Sequence, residues 1–264
     1  VMLSARDLMQ HAEGYESAVR AVRDSGLRIT GFQVLRDFEG LSGHLHDYKI
    51  DVAKSMLEMC HDLGAKLLLV CSSTSTHAVG DLDRLAHDLR KLAMLALPLG
   101  VKVAYEGLSW GRHVNEFSAA WEVVCRADMP NLGLGFDSFH SLASKSAMDD
   151  LDMLDTSRVF LVQLADFMWQ QIRSVEERIE TARHFRVFPG EGVHSEQVAE
   201  LVSRLYRMGY RGDYSFEVFN DDYQQMPLPK VAERARRRAV WLAEDVLNRS
   251  VPLPNAMLLR SRPA

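Results

Sequence analysis

The chain of 264 residues has 31 Lys and Arg, 36 Asp and Glu, a formal net charge of −5 and 47% hydrophobic residues. This composition predicts one domain with a sizeable core, and the acidic balance argues against a protein that binds nucleic acid through a basic surface. Three cysteines without CxxC spacing, no apolar run of about 20 residues and no signal-peptide pattern favour a reducing cytoplasmic location away from the membrane.

Six strand-like apolar runs alternate with segments of helical periodicity, which is the pattern of repeated βα units. The predicted strands are 28–35, 66–71, 102–106, 132–137, 159–164 and 214–218. The predicted helices, most of which end at or near a glycine, are 16–25, 48–63, 81–97, 115–127, 194–208 and 229–248. We therefore expect an α/β fold, a closed (β/α)8 TIM barrel.

The pattern leaves about two of the eight barrel strands unrecognised. The opening residues VMLSA are interpreted as the remnant of an earlier strand, and the first βα unit is expected to be missing from this chain. Residues 167–192, which contain the polar helical stretch SVEERIETARHF, are expected to form a long loop on the catalytic rim. Residues 1–250 are predicted to be the barrel domain, and 251–264 a C-terminal tail that is either a flexible end or a contact in a homo-oligomer.

Four acid or amide residues end four successive apolar runs: Glu106, Asp137, Gln163 and Glu217. Because the carboxyl ends of barrel strands converge on one rim, these side chains are expected to meet around a single divalent ion. Three carboxylates and one amide oxygen suit Mg²⁺, Mn²⁺ or Co²⁺, and Zn²⁺ is tolerated. The alternative interpretation treats each residue separately, as a solvated acid or a helix cap.

Longer motifs carry a family resemblance. The segments FQVLRDFEG, VCSS, YEGLSWGRHVN, NLGLGFDSFHSL, VQLAD, RHFRVFPGEG and SFEVFND together resemble the bacterial 3-dehydroshikimate dehydratases, which are xylose-isomerase-like barrels, from about residue 7 to residue 247. The resemblance implies a divalent-metal-dependent lyase of quinate and shikimate catabolism, which dehydrates 3-dehydroshikimate to protocatechuate through a metal-stabilised enolate. It places the metal ligands on the same four residues. The family's first strand and first helix have no counterpart here.

Such a reaction needs a base, an acid for the leaving hydroxyl and a cation for the substrate carboxylate. His140, three residues after Asp137, is the first candidate for the base or proton shuttle; the alternative is a histidine that packs on Phe139 or donates a hydrogen bond to a metal-binding carboxylate without moving protons. His113 is the second candidate, or a residue that orients its loop before a helix capped by Asn115. Glu217 is counted among the catalytic residues as well as the ligands.

The substrate-binding candidates lie on strand ends and loops. Arg36 and Arg186 could each hold a carboxylate through two hydrogen bonds, although either could instead pair with a neighbouring acid. Ser72 could offer a hydroxyl to the substrate or serve as a turn residue. Glu191 could bind a substrate hydroxyl or be an exposed loop acid. Asp166 could support a metal ligand or Arg186.

Two other functions remain open from the sequence. One is a sugar or hydroxypyruvate isomerase or epimerase of the same superfamily, in which a histidine often stands at the position of Gln163. The other is a barrel without catalytic activity that binds a small anionic metabolite.

Overall fold

A computed structural model describes residues 1–250 of the chain. Its centre is a sheet of seven parallel strands whose spatial order follows the sequence. The strands are β1 (Met2–Ser4), β2 (Gly31–Arg36), β3 (Leu67–Cys71), β4 (Lys102–Glu106), β5 (Leu132–Asp137), β6 (Val159–Leu164) and β7 (Tyr214–Phe216). The predicted α/β barrel architecture is therefore confirmed, as a nearly closed barrel of seven strands.

The helices connect the strands and cover the outside of the sheet. They are α1 (Ala5–Met9), α2 (Tyr15–Asp24), α3 (Gly43–Leu63), α4 (Leu82–Ala96), α5 (Phe117–Ala127), α6 (Ser138–Ser144), α7 (Val175–His184), α8 (Ser195–Arg207), α9 (Asp221–Gln224) and α10 (Leu228–Trp241). None of the helices in residues 1–250 combines the length and the apolar character that crossing a membrane requires. The polar stretch expected within 167–192 is α7, which begins with a capping box made by Ser174 and Glu177.

All six predicted strands are found, and the opening segment VMLSA, interpreted as the remnant of an earlier strand, contains the seventh. Met2–Ser4 is a strand in its own right, and its three residues are too few to show a period. Within residues 1–250, β1 pairs only with β2 and β7 only with β6, so they are the two end strands of the sheet. An ion pair joins the segment before β2 to the residue before β7: Arg28 Nη2 lies 2.6 Å from Asp213 Oδ1.

Two apolar clusters lie on opposite faces of the strands. Leu67, Leu69, Ala104 and Leu161 form a small cluster inside the barrel. Leu68, Val70 and Val103 belong to the larger cluster between the sheet and the helices. Because successive strand residues point to opposite faces, this alternation fixes which strand-end side chains face the barrel axis.

Helix ends follow ordinary capping chemistry. Asp81 accepts a hydrogen bond from the backbone N–H of Arg84 at the start of α4. Gly64 ends α3 at φ 69°, a left-handed conformation that costs glycine little because it has no Cβ. The predicted Asn115 cap is not found, because Glu116 is the residue that precedes α5.

Candidate metal-binding and catalytic site

Strand alternation points the predicted ligands into the barrel. Glu106 comes two residues after the interior Ala104, and Gln163 two after the interior Leu161. A Cβ built on Gly135, two residues before Asp137, would lie 3.5 Å from the Glu106 Cβ. Glu106, Asp137 and Gln163 are therefore on the same face of three adjacent strands, at their carboxyl ends.

The carboxylates lie close together at this rim. Glu106, Asp137 and His140 each have a donor atom within 4.8 Å of the donor atoms of the other two. Glu217 follows the end of β7 and is linked to Asp137 through Arg186. The Arg186 Nη1 donates to Asp137 Oδ2 at 2.7 Å and to Glu217 Oε2 at 3.0 Å.

Burial and mutual repulsion perturb these acids. Burial, followed by the nearby Asp137 and Glu217, raises the pKa of Glu106 well above its ordinary range. Burial also raises the pKa of Glu217, although Arg186 opposes that rise. For Arg186 burial alone would lower the pKa, but the attraction of Asp137 and Glu217 outweighs it and raises the pKa. The site therefore holds more negative charge than Arg186 alone neutralises.

The donor atoms fit a divalent cation. Glu106 Oε1 and Gln163 Oε1 are buried and have no hydrogen-bond partner within the described residues. Buried polar atoms are normally satisfied, so two unpaired oxygens beside clustered carboxylates call for a cation. Oxygen donors of this kind are preferred by hard divalent ions.

His140 is fixed in one tautomer. The Ser109 backbone N–H donates to His140 Nδ1 at 3.1 Å, and the Ser109 Oγ lies 3.0 Å from the same nitrogen. In the neutral ring the hydrogen is therefore on Nε2, which lies 3.7 Å from Asp137 Oδ2. Burial lowers the pKa of His140 to about 3, so the ring is neutral at physiological pH.

The predicted arginines occupy different environments. Arg36 is the last residue of β2, rather than just past it as predicted, and is exposed. It lines a cavity of about 80 Å³ together with Glu106, His140 and Arg186. Arg36 also lines an adjoining open cleft of about 790 Å³. Arg186 is buried, with its guanidinium carbon 4.4 Å from the centre of the Phe139 ring.

Two of the predicted site residues support loops instead. Ser72 Oγ accepts a hydrogen bond from the Leu108 N–H at 3.0 Å, so its hydroxyl holds the loop after β4. His113 Nε2 lies 2.9 Å from the Ala78 carbonyl oxygen, outside the cavity that contains His140. The structure does not bring either side chain to the carboxylates.

Glu191 and Asp166 also lie outside the cavity lining. Glu191 accepts hydrogen bonds from the Tyr223 hydroxyl and from Arg234 on α10, with Arg238 close by. Asp166 accepts from the backbone N–H groups of Phe167 and His194, and so fastens the chain between β6 and α8. Neither carboxylate contacts a predicted ligand.

Sequence reasoning missed three residues around the cavity. Cys71 lies 3.0 Å from Glu106 Oε2, Ser109 holds His140, and the Trp110 ring packs edge-on against His140 at 4.9 Å. Cys71 could have been found because it ends β3 in register with Glu106. Ser109 and Trp110 lie in an irregular loop, whose conformation no periodic pattern predicts.

A nearly closed barrel of parallel strands, with acidic side chains clustered at its carboxyl rim, defines an α/β-barrel protein with a candidate metal site. The family model for the xylose isomerase-like TIM barrel matches residues 3–244. The chain belongs to that family.

Two curated relatives, both named 3-dehydroshikimate dehydratase, match almost the whole chain. The Pseudomonas putida protein is 34% identical over 268 residues, covering 100% of this chain and 41% of the relative. The Pseudomonas aeruginosa protein is 36% identical over 255 residues, covering 96% of this chain and 39% of the relative. The resemblance to these dehydratases is thus confirmed, and the chain spans about two fifths of the length of each.

Solved structures show the same fold. A xylose isomerase-like TIM barrel/4-hydroxyphenylpyruvate dioxygenase fusion protein is 35% identical, with a TM-score of 0.85 over 93% of this chain and 39% of that one. The IOLI protein, solved with a bound zinc atom, is 22% identical, with a TM-score of 0.77 over 93% of this chain and 88% of that one.

Proposed function

We propose that this chain dehydrates 3-dehydroshikimate to protocatechuate with the help of a divalent metal ion. The names of the two Pseudomonas relatives, at 34% and 36% identity, support the substrate and the reaction. The clustered carboxylates support the metal. A cytoplasmic location and a role in quinate and shikimate catabolism are part of the same proposal.

Glu106, Asp137, Gln163 and Glu217 would hold the ion. The observation that carries this assignment is the pair of buried oxygens without partners, Glu106 Oε1 and Gln163 Oε1, beside acids whose pKa values are raised. The zinc bound to IOLI is a property of that distant relative, and the presence of a metal in a similar barrel agrees with the proposal. When bound, a divalent ion polarises a carbonyl oxygen and so makes the neighbouring carbon more acidic.

His140 donates a hydrogen bond in this proposal. Its Nδ1 is engaged by the Ser109 N–H, so the nitrogen facing Asp137 carries the hydrogen. A neutral imidazole N–H is too weak an acid to give up its proton, but it is suited to stabilise by a hydrogen bond the negative charge that develops in the reaction. The proton taken from carbon needs an acceptor, and Glu217, which is 17% exposed and lines the cavity, is the carboxylate best placed to receive it and to return it to the departing hydroxyl, which leaves as water.

Arg36 is the proposed anchor for the substrate carboxylate. It is exposed and lines both the small cavity and the adjoining cleft. The cavity of about 80 Å³ is well below the roughly 300–1,000 Å³ of usual ligand pockets, whereas the adjoining cleft of about 790 Å³ is within that range. Arg186 already binds two carboxylates, so its proposed role is to position Asp137 and Glu217.

A direct assay tests the proposal. Protein loaded with Mn²⁺ is mixed with 3-dehydroshikimate, and the near-ultraviolet absorbance of protocatechuate is followed, with chelator-treated protein as the control. Aromatic product that depends on the metal is expected, and Glu106→Ala should abolish it while the fold remains intact. Conversion of a sugar or hydroxypyruvate substrate instead would favour an isomerase, and tight binding of 3-dehydroshikimate without turnover would indicate a barrel that only binds it.

A further inference from the structure

Cys71 occupies a position in the ring of strand-end side chains. It is the last residue of β3, and its Cα is paired in register with that of Glu106 on β4. The side chain is 4% exposed and lines the same cavity as Glu106, His140 and Arg186. Its sulfur lies 3.0 Å from Glu106 Oε2.

The two oxygens of Glu106 have different surroundings. Oε2 is in contact with the Cys71 thiol, whereas Oε1 is buried without a hydrogen-bond partner. As a metal ligand Glu106 must be ionised, and an ionised carboxylate only accepts, so the thiol S–H donates in this contact. A donor on one oxygen fixes the carboxylate plane and leaves the second oxygen directed elsewhere.

We propose that Cys71 is a positioning residue, whose thiol holds Glu106 so that Oε1 is presented to the metal ion. This inference rests on the metal site of the proposed function. Carboxylates that bind metals are generally oriented by a hydrogen bond from a neighbouring group, and loss of such a partner typically costs about 10–100-fold in metal affinity or activity.

The geometry favours support of a ligand over direct ligation by the thiol. The other candidate ligands are carboxylate and amide oxygens, which hard divalent ions prefer, and a thiol that donates its hydrogen to Glu106 is not a metal ligand, because thiolates rather than thiols bind metals. The sulfur therefore contacts Oε2 of one candidate ligand and is not itself counted among the ligands. Cys60, by contrast, is 0% exposed and belongs to the apolar cluster between the sheet and the helices.

Titration of the full chain with Mn²⁺ tests this role, with free Mn²⁺ measured by electron paramagnetic resonance. Cys71→Ala and Cys71→Val both remove the donor, the second without leaving a cavity, and each should weaken Mn²⁺ binding about 10–100-fold. Cys71→Ser keeps a donor and should stay within about threefold of the unmodified chain. Cys125→Ser, at an exposed site, is the matched control and should not change the affinity.

Two results would overturn the role of Cys71 alone: unchanged affinity in a folded Ala or Val variant, or a Ser variant as weak as Ala and Val. Circular dichroism in chelator shows which variants are folded, and the test needs only one of the Ala and Val variants to be folded. Failure of the unmodified chain to bind Mn²⁺ would overturn the metal site itself and the proposed function with it. Failure of the dehydratase assay with normal Mn²⁺ affinities would leave the role of Cys71 standing.

Discussion

Replacement of Arg186 by alanine removes the one cation that the described residues place between the ligand carboxylates. Its Nη1 donates to Asp137 at 2.7 Å and to Glu217 at 3.0 Å, and its side chain is 3% exposed. Removal of one partner from a buried ion pair typically costs about 3–5 kcal/mol, because a buried charge is left uncompensated. For a domain of this size each kcal/mol lowers the melting temperature by about 2–4 °C, so we expect a fall of roughly 6–20 °C in chelator.

Metal should reverse much of this loss. An ion whose free concentration is 100 times its Kd stabilises the folded state by about 2.7 kcal/mol. The affinity for the ion should rise in this variant, because no arginine competes for Asp137 and Glu217. The assay is thermal unfolding with chelator and with Mn²⁺, and Arg207→Ala, at an exposed site on α8, is the control. Loss of less than about 0.5 kcal/mol in chelator, or an equal gain from Mn²⁺ in Arg186→Ala and in the unmodified chain, would refute this account of the charges.

Three further predictions concern single residues. Burial and neighbouring acids raise the pKa of Glu106 from its ordinary 4.5. Without metal, the protonated side chain therefore stabilises the folded state, and this stabilisation is lost as the pH rises from 4.5 through the pKa of Glu106 in the folded protein. Urea unfolding should therefore find Glu106→Gln increasingly more stable than the unmodified chain above pH 4.5, and a constant difference would contradict this. His140→Ala should lower kcat by about 10²-fold or more with little change in KM, and an unchanged kcat in steady-state assays would show that His140 does not assist the reaction. Glu191→Ala breaks the contacts with Tyr223 and Arg234, so it should lower the free energy of unfolding measured in urea by about 1.5–3 kcal/mol. It should leave kcat/KM within about threefold of the unmodified chain. A large loss of kcat/KM with normal stability would show that Glu191 takes part in the active site after all.

Much of the barrel could be predicted from the sequence because its strands are buried and its helices periodic. The run LLLVC has every residue buried, and the predicted strand 66–71 differs from β3 by one residue. The last residues of such strands lie on one rim of the barrel regardless of the loop conformations, so the proximity of Glu106 and Asp137 was predictable. The strand β1 was expected only as a remnant in VMLSA, and the short helices α1, α6 and α9 were not predicted, because four to seven residues do not establish a helical period.

The environment of each polar side chain was much less predictable. Arg186 and Glu191 both lie in the segment RVFPGEG, yet one is bound to Asp137 and the other to α10. The difference depends on contacts made over 40 residues or more, which neither composition nor spacing encodes. The Ser109 amide on His140 Nδ1, which determines the tautomer, is likewise a contact across 31 residues.

The central claim is a single divalent ion held at the carboxyl rim of the barrel, and anomalous diffraction from crystals grown with Mn²⁺ tests it most directly. We predict one strong peak about 2.0–2.5 Å from oxygens of Glu106, Asp137, Gln163 and Glu217. A peak bound by other residues, or no peak in crystals at saturating Mn²⁺, would contradict the claim.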